Sequence, residues 1–327
     1  MDAAAGPTAS STRQEGVPRV LVGVDGSADS LTALRWAMRW ALVRGAEIRV
    51  LAAFSTIAPW TTPGVLDLGA LDAAREDTRS RARAAIDAVR TSAPELRDVP
   101  VSLLVEPGPT AAQLVRHSAA ADLLVVGSRG RSAVASALVG SVALHCVSSA
   151  ECPVAVIPLP GRWAQPQAAS RVVVGVDGSE RSAVALSAAV TEAGPDGSVT
   201  AVTVQDGTDQ WSDRYADVPS AAPHPDAAAL RRTESTLGDV LGTTPAGHPL
   251  VQRLVLPGSA GALLVEQAAD ADLLVVASRG RGEISGLLLG SVAMHCVVHA
   301  PCPVLVVRPA ARPLPDRRTP ARSAASS

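Results

Sequence analysis

Two clusters of glycine, serine and acidic residues have the composition of a phosphate-binding site. The first is Asp25-Gly26-Ser27, which directly follows an apolar run. The second is Gly127-Ser128-Arg129-Gly130-Arg131, and Gly140-Ser141 follows ten residues after Gly130, which gives the spacing G-x2-G-x9-G-S. Because glycine permits positive φ and close backbone approach, amide N–H groups in such a segment can point at phosphate oxygens. The pattern predicts a cradle for a phosphorylated ligand.

Two residues indicate that the phosphorylated ligand is a nucleotide. Ser141 stands near a predicted helix N-terminus, where the helix dipole favours anions. Asp25 can accept hydrogen bonds from ribose hydroxyls, as acidic residues do in dinucleotide folds.

Simpler interpretations remain open for the same residues. Asp-Gly-Ser is also a common strand-to-helix turn, in which the carboxylates of Asp25 and of its counterpart Asp177 accept bonds from their own turn or cap the next helix. The arginine pairs either contact phosphate or are solvated loop charges; they are Arg129 with Arg131, and Arg279 with Arg281.

The elements that would position these residues alternate between short β-branched runs and Ala- and Arg-rich segments. This alternation predicts an α/β fold with a buried parallel sheet, in which ligands bind beyond the carboxyl ends of the strands. Predicted strands cover Val20–Val24, Ile48–Phe54, Val101–Val105, Leu123–Val126 and Val154–Ile157, and in the second half 172–176, 199–205, 250–256, 273–276 and 304–307. Predicted helices in the first half cover about 28–44, 69–93, 110–120 and 136–149.

An internal repeat divides the chain into two domains. Arg19–Ser27 and Arg171–Ser179 are identical at 8 of 9 positions, and Asp122–Pro158 and Asp272–Arg308 at 22 of 37. A period near 150 residues is the length of a whole domain, so the repeat indicates a duplication. The predicted organisation is a disordered tail over 1–17, domains over 18–158 and 171–308, a linker over 159–170 and a disordered tail over 309–327.

Composition excludes several classes of function. The 327 residues carry a formal net charge of −2, only 2% are aromatic, and every basic residue other than histidine is arginine. This predicts neither a nucleic-acid partner nor binding to an anionic membrane. A chain without lysine also cannot use a phosphate-loop lysine or a Schiff base. The absence of a long apolar run or an export signal leads us to expect a soluble cytoplasmic protein with reduced thiols.

The cysteines and histidines do not form a recognisable catalytic or metal site. Each domain carries His-Cys followed by Cys-Pro, with cysteines at 146, 152, 296 and 302. C-x5-C is not a zinc spacing, and the positions favour core packing. No histidine has a recurring acid or nucleophile partner. We therefore predict no catalytic residue and no metal ligand.

Taken together and in order, the motifs resemble the universal stress protein family. The first copy contains VGVDGS, VVGSRGRSAVASALVGSVALHC and CPVAVIP; the second contains VGVDGS, VVASRGRGEISGLLLGSVAMHC and APCPVLVVRP. The resemblance covers 19–158 and 171–308, so the chain resembles a tandem member. It implies two Rossmann-like domains, each a five-stranded parallel sheet of order 3-2-1-4-5 with helices on both faces, and ATP bound between strands 1 and 4. It also suggests that the fifth strands pair the two domains.

The resemblance assigns site residues in both domains. In the first domain Asp25 would contact ribose, the backbone near Gly23 and Ala53 would hold adenine, and Gly127, Ser128, Arg129, Gly130, Gly140, Ser141 and Val142 would line the phosphates, with Arg131 adjoining. The second-domain equivalents are Gly175, Asp177, Val204, Ala277, Ser278, Arg279, Gly280, Arg281, Gly290, Ser291 and Val292. Mg²⁺ is a candidate companion of ATP, with Asp25 and Asp177 as the nearest acidic groups.

Ala277 departs from the motif because it replaces the first glycine. If that position needs positive φ or contact with phosphate, a methyl group costs on the order of 1 kcal/mol or more; if φ is negative, alanine is harmless. We expect the second site to be retained but weaker than the first.

Three functional hypotheses follow. The favoured one is an ATP-binding regulator of bacterial stress response or growth arrest, without efficient catalysis but with weak ATPase activity still open. Its expected partners are ATP, a second copy of the chain and an unidentified regulatory protein. The alternatives are a scaffold of the same fold that acts without nucleotide, and an adenylating or pyrophosphate-releasing enzyme, which the absence of lysine disfavours.

Overall fold

The computed structural model describes residues 17–55, 68–130, 139–159, 170–205, 227–243, 249–280, 289–309 and 314–315. The predicted tails and linker fall outside these ranges, apart from residues 17, 159, 170, 309, 314 and 315.

Each domain alternates strands and helices. The first contains β1 (Arg19–Gly23), α1 (Ala28–Arg44), β2 (Glu47–Phe54), α2 (Leu68–Ser92), a short 3-10 helix (Pro94–Leu96), β3 (Val101–Pro107), α3 (Thr110–Ser118), β4 (Leu123–Gly127), α4 (Ser141–Ser149) and β5 (Val154–Ile157). The second contains β6 (Arg171–Gly175), α5 (Glu180–Ala193), β7 (Ser198–Gln205), α6 (Ala227–Thr243), β8 (Leu250–Pro257), α7 (Ala260–Gln267), β9 (Leu273–Ala277), α8 (Ser291–His299) and β10 (Val304–Val307).

The strands form one ten-stranded sheet of order β3-β2-β1-β4-β5-β10-β9-β6-β7-β8. Within each half the strands are parallel and follow the predicted order 3-2-1-4-5. The halves join through antiparallel pairing of β5 with β10, in which Leu305 lies opposite Ala155. Pairing through the fifth strands is therefore confirmed, and it covers two apolar edges that would otherwise be exposed.

Apolar sequence explains why the central strands are buried. The first four residues of β4 and all of β5 and β10 are buried, as expected for strands covered on both faces by helices. No helix in the described part of the chain is both long enough and apolar enough to cross a membrane.

Local capping sets the helix boundaries near the site. Helix α1 begins after Ser27, whose side chain accepts a hydrogen bond from the N–H of Ser30, and it ends at Gly45 in the left-handed conformation. The helix predicted over 136–149 instead begins at Ser141. Gly140 is extended, with φ −78° and ψ 153°, so it is the N-cap of α4 and not part of its interior. Residues 131–138 lie outside the described ranges.

The domains also meet through a buried polar cluster between α1 and α5. The fully buried Arg44 guanidinium forms an ion pair with Glu192 at 2.8 Å and stacks over the Trp40 ring at 4.1 Å. The Trp40 indole N–H donates to the same carboxylate at 3.0 Å. Trp40 and Glu192 are separated by 152 residues, the offset of the repeat, so equivalent helix positions meet here with different residues. The cluster pairs the two opposite buried charges at the domain junction.

Replacing Glu192 with alanine should destabilise the paired domains. The substitution leaves the Arg44 charge buried without its carboxylate, and losing one partner of a buried ion pair costs about 3–5 kcal/mol. We expect a clearly lower urea midpoint, measured by circular dichroism. Asp196→Ala, which removes an exposed acid four residues further along, is the control and should leave the midpoint nearly unchanged. Equal midpoints for the two variants would contradict a stabilising role for the cluster.

Candidate functional site

A cleft of about 220 Å³ opens at the carboxyl ends of β1 and β4, where the strand order of the first domain reverses. Most of the predicted residues of the first domain line it: Gly23, Asp25, Gly127, Arg129, Gly130, Gly140, Ser141 and Val142. Ala53 lies in β2 opposite Glu106 and is not part of this lining. Arg131 lies outside the described residues. The structure thus brings the turn after β1, the loop after β4 and the start of α4 to one place.

The two oxygens of the Asp25 carboxylate contact two different segments at the edge of the cleft. One oxygen, Oδ1, accepts hydrogen bonds from the N–H of Ser27 at 2.9 Å and from its hydroxyl at 2.6 Å. This is the turn geometry that the simpler interpretation predicts, and Gly26 supports it with φ 85°. The other oxygen faces Gly130, where a Cβ added to the glycine would lie only 2.9 Å from Oδ2. The carboxylate therefore closes its own turn and also contacts the glycine loop.

Asp29 is a site residue that the sequence analysis missed. Its side chain is buried at the first turn of α1, where Oδ1 accepts bonds from the Ser128 hydroxyl at 3.0 Å and the Arg129 N–H at 3.1 Å. Ser128 is buried as well, so the predicted phosphate contact would come from its neighbours in the loop. Asp29 holds the loop after β4 against the turn after β1 across about a hundred residues of sequence.

Gly127 and Gly130 stand where another residue comes close, and not where the backbone has unusual angles. Gly127, Gly130 and Gly140 are absent from the positive-φ glycines, so of the two properties of glycine considered for the motif, positive φ is not used. A Cβ at Gly127 would lie 2.8 Å from the carbonyl carbon of Asp29, which is closer than real atoms approach. The missing side chains let the two turns touch.

The N-terminus of α4 faces the cleft without a side-chain cap. Gly140 has no side chain, and its N–H donates to the Ser128 carbonyl at 2.7 Å, which ties the helix start to the loop. Ser141 is exposed at the first helical position. By contrast, Ser27 caps α1. The first-turn amides of α4 thus remain available to an anion in the cleft.

The second domain repeats the framework. Oδ1 of Asp177 accepts bonds from the N–H and hydroxyl of Ser179 at 3.0 and 2.6 Å, and a Cβ at Gly280 would lie 3.0 Å from Oδ2. Gly290 caps α8 with extended angles, and its N–H donates to the Ser278 carbonyl at 2.8 Å. The remaining predicted residues hold equivalent places: Gly175 ends β6, Val204 lies near the end of β7, Arg279 follows Ser278, and Ser291 and Val292 begin α8. Arg281 lies outside the described residues.

The two domains differ at the contact between the turn and the loop. Ala277 stands where the first domain has Gly127, and it does not have positive φ, so the conformational penalty considered for it does not arise. Arg181 stands where the first domain has Asp29, and its guanidinium donates to the Gly280 carbonyl at 3.4 Å. The buried carboxylate of the first domain is thus replaced by a cation beside the loop.

The cysteines pack in the core. All four are free and buried, and burial raises the pKa of each thiol to about 12, so the thiols are neutral at physiological pH. Across the described ranges, no group of three or more His, Cys, Asp or Glu side chains is arranged to hold a metal ion.

Several residues that line the cleft were also missed. Ser30 and Thr110 contribute hydroxyls, and the Ser30 hydroxyl accepts a bond from the Gly26 N–H at 3.1 Å. The apolar wall is Val24, Leu114, Val126 and Ala143. The signal for Leu114 was present in the repeat, because Leu264 occupies the same place in α7, and each leucine packs where a Cβ would stand on Gly23 or Gly175.

Comparison with known proteins gives consistent results. The universal stress protein family model matches residues 16–158 and 169–308. A universal stress protein of Mycobacterium tuberculosis strain H37Rv is 34% identical over 297 residues, covering 88% of this chain and 96% of that protein. One from Mycolicibacterium smegmatis is 32% identical over 297 residues, covering 89% and 97%.

A solved structure shares the fold. The crystal structure of a universal stress protein from Archaeoglobus fulgidus superposes with a TM-score of 0.59 at 20% identity, covering 89% of this chain and 96% of that one.

Gly127→Ala should destabilise the first domain more than Ala277→Gly destabilises the second. The added methyl must push the Asp29 backbone away, and such overpacking costs about 1–3 kcal/mol. The reverse change, Ala277→Gly, creates no clash. It should lower the free energy of unfolding by less than about 1 kcal/mol. Urea denaturation of both variants measures the difference. If the two variants lose equal free energy of unfolding, the close approach of the Asp29 backbone does not require glycine at position 127.

Asp29→Ala should weaken the same contact by removing an acceptor. It leaves the buried Ser128 hydroxyl and the Arg129 N–H without a partner, at a cost of about 1–3 kcal/mol. Asp29→Asn keeps an oxygen in that position and should restore most of the stability. Arg181→Ala is the matched control in the second domain, with an expected change within about 0.5 kcal/mol. If Asp29→Ala has the same urea midpoint as the wild-type protein, Asp29 does not hold the loop after β4.

Proposed function

This chain belongs to the universal stress protein family, a membership that supports a role in the stress response, and on that premise we propose that it is an ATP-binding regulator. In this proposal both domains bind nucleotide, and binding alters a surface that a partner recognises. The proposal goes beyond family membership in naming the ligand, the site and the mode of action.

The observation that carries the proposal is the convergence of three elements on one cleft at the strand-order switch. The Asp25 turn, the loop from Gly127 to Gly130 and the uncapped start of α4 all line it. Parallel sheets bind ligands at this place because the carboxyl ends of strands and the N-termini of the following helices meet there. Backbone N–H groups and the helix dipole would hold the phosphates, a task that elsewhere falls to lysine.

The remaining surface suits a nucleoside. Asp25 stands beside Gly130, so a ribose at the carboxylate and phosphates at the loop would occupy adjoining positions. The apolar side chains of Val24, Leu114 and Val126 line the same cleft and offer a surface for the base. Mg²⁺ would enter with the phosphates, and Asp25 and Asp177 are the carboxylates nearest to it in this arrangement.

We propose binding without efficient turnover. A general base must be within hydrogen-bond reach of the group it deprotonates. The acidic side chain that lines the described part of the cleft is Asp25, and Ser27 donates two hydrogen bonds to it. Both bonds go to Oδ1, so that oxygen holds the turn after β1.

Regulation would act through the loop. Phosphates that bind both the loop and the start of α4 would favour one arrangement of these two elements and so change the adjoining surface. We also propose that the chain forms a homodimer. Since β5 and β10 already pair within the chain, a second copy would have to use another surface, for which the outer strands β3 and β8 are candidates.

The test is the nucleotide content of freshly purified protein. The protein is heat-denatured, and the released nucleotide is identified and counted by chromatography. We expect ATP at more than one but fewer than two molecules per chain, since the first site should be full and the second weaker. Asp25→Ala should remove most of the ATP, and Asp177→Ala should remove the smaller remainder.

The control is Asp98→Ala, which removes an exposed carboxylate that precedes β3, at the opposite end of the sheet. It should retain the wild-type content. If neither purified protein nor protein titrated with ATP and Mg²⁺ binds nucleotide, the proposal is wrong and a scaffold that acts without nucleotide replaces it.

A further inference from the structure

The second position of the helix that follows each Asp-Gly-Ser motif carries opposite charges in the two domains. The first domain has Asp29 there and the second has Arg181. We propose that Arg181 is a specificity-determining residue that makes the second-domain cleft depend on the polyphosphate tail of its nucleotide, whereas the first-domain cleft discriminates weakly by tail length. The inference rests on the proposed nucleotide function and adds to it a difference between the two sites.

In the first domain the charged side chain lies behind the loop. Asp29 is 7% exposed and its carboxylate accepts bonds from Ser128 and Arg129, so it serves the protein and does not reach a ligand. It also directs the Arg129 N–H inward, which removes that donor from the cleft. A buried negative charge directly behind the phosphate position makes each further phosphate less favourable, because like charges repel more strongly away from water.

In the second domain the charged side chain lies beside the loop and is accessible. The Arg181 guanidinium donates to the carbonyl of Gly280, the counterpart of the Gly130 that lines the first cleft. This bond places a planar cation at the middle glycine of the motif. A guanidinium presents several N–H donors in a fixed fork and binds phosphate through more than one of them. A terminal phosphate passing Gly280 would therefore meet an attractive charge.

The exchange of Asp29 for Arg181 is accompanied by the exchange of Gly127 for Ala277, and the two exchanges are structurally connected. Gly127 is required where the backbone of Asp29 comes within 2.8 Å of its Cβ position. In the second domain Ala277 places a methyl group at the position of Gly127. The Arg181 side chain there donates to the Gly280 carbonyl. In this proposal Ala277 accompanies a site in which Arg181 contacts the ligand. The alanine by itself is therefore no sign that the second domain has lost nucleotide binding.

The experiment measures the affinities of ATP and AMP at the second cleft alone. Isothermal titration is carried out on full-length Asp25→Ala protein, in which the first site is disabled, with and without Arg181→Ala. We expect Arg181→Ala to weaken ATP binding about tenfold and AMP binding about twofold or less, so that the ATP-to-AMP preference falls severalfold. Arg181→Lys should retain part of the preference.

Two controls separate this effect from general charge and from the first site. Arg171→Ala removes an exposed arginine at the start of β6, the opposite end of the strand from the cleft, and should leave both affinities unchanged. In Asp177→Ala protein, where only the first site binds, the ATP-to-AMP preference should be smaller than at the second site.

The outcomes distinguish this inference from the proposed function. If the second cleft binds ATP but Arg181→Ala leaves the preference unchanged, the inference is wrong and the proposed function stands. The same holds if only the first cleft binds nucleotide. If the wild-type chain binds neither ATP nor AMP, the proposed function fails and the inference fails with it.

Discussion

The contact between two turns that lie about a hundred residues apart in sequence is the constraint on which the site depends. The turn after β1 and the loop after β4 meet where the strand order reverses, and in the first domain they approach closely at Gly127 and Gly130, which have no side chains. Asp25 contacts one glycine and Asp29 the other, and Asp29 bonds the loop directly. In the proposed function these contacts would hold the backbone donors in position, which would lower the entropic cost of binding phosphate.

The junction between the domains connects the first-domain cleft and the equivalent second-domain site through one continuous sheet. Antiparallel pairing of β5 with β10 makes the sheet continuous, and the Arg44–Glu192 ion pair closes the neighbouring helix contact. Arg308, directly after β10, donates to the carbonyl of Val147 in α4 of the other domain at 2.5 Å. Burial lowers the pKa of this guanidinium, and the nearby charge of Arg279 lowers it further. Arg279 of the second-domain loop and helix α4 of the first domain are thus both close to Arg308.

Much of this architecture could be predicted from the sequence because the relevant signals are local. Continuous β-branched runs identified the buried strands, and the repeated Asp-Gly-Ser and glycine motifs placed six of the residues that line the cleft. The strand order and the pairing of the fifth strands came from the family resemblance, since neither follows from periodicity.

Other features depend on tertiary contacts that a sequence pattern does not contain. Asp29 has the ordinary appearance of an acidic residue in the first turn of a helix, and only the fold brings it to Ser128. A glycine motif likewise does not distinguish a need for positive φ from a close approach of another backbone, and at Gly127 the fold shows the second. Helix α4 begins later than predicted because Gly140 is its N-cap, and apolar periodicity does not mark that boundary.

The central claim is that ATP phosphates bind the backbone of the glycine loop and the start of α4. Hydrogen exchange of the full-length protein with and without ATP and Mg²⁺ tests it most directly, because bound phosphates protect the amides that they contact. We predict increased protection at Gly130 and at Ser141–Ala143, with weaker protection at the corresponding amides of the second domain. If ATP at saturating concentration leaves exchange at these amides unchanged, or protects only amides elsewhere in the chain, the claim is wrong.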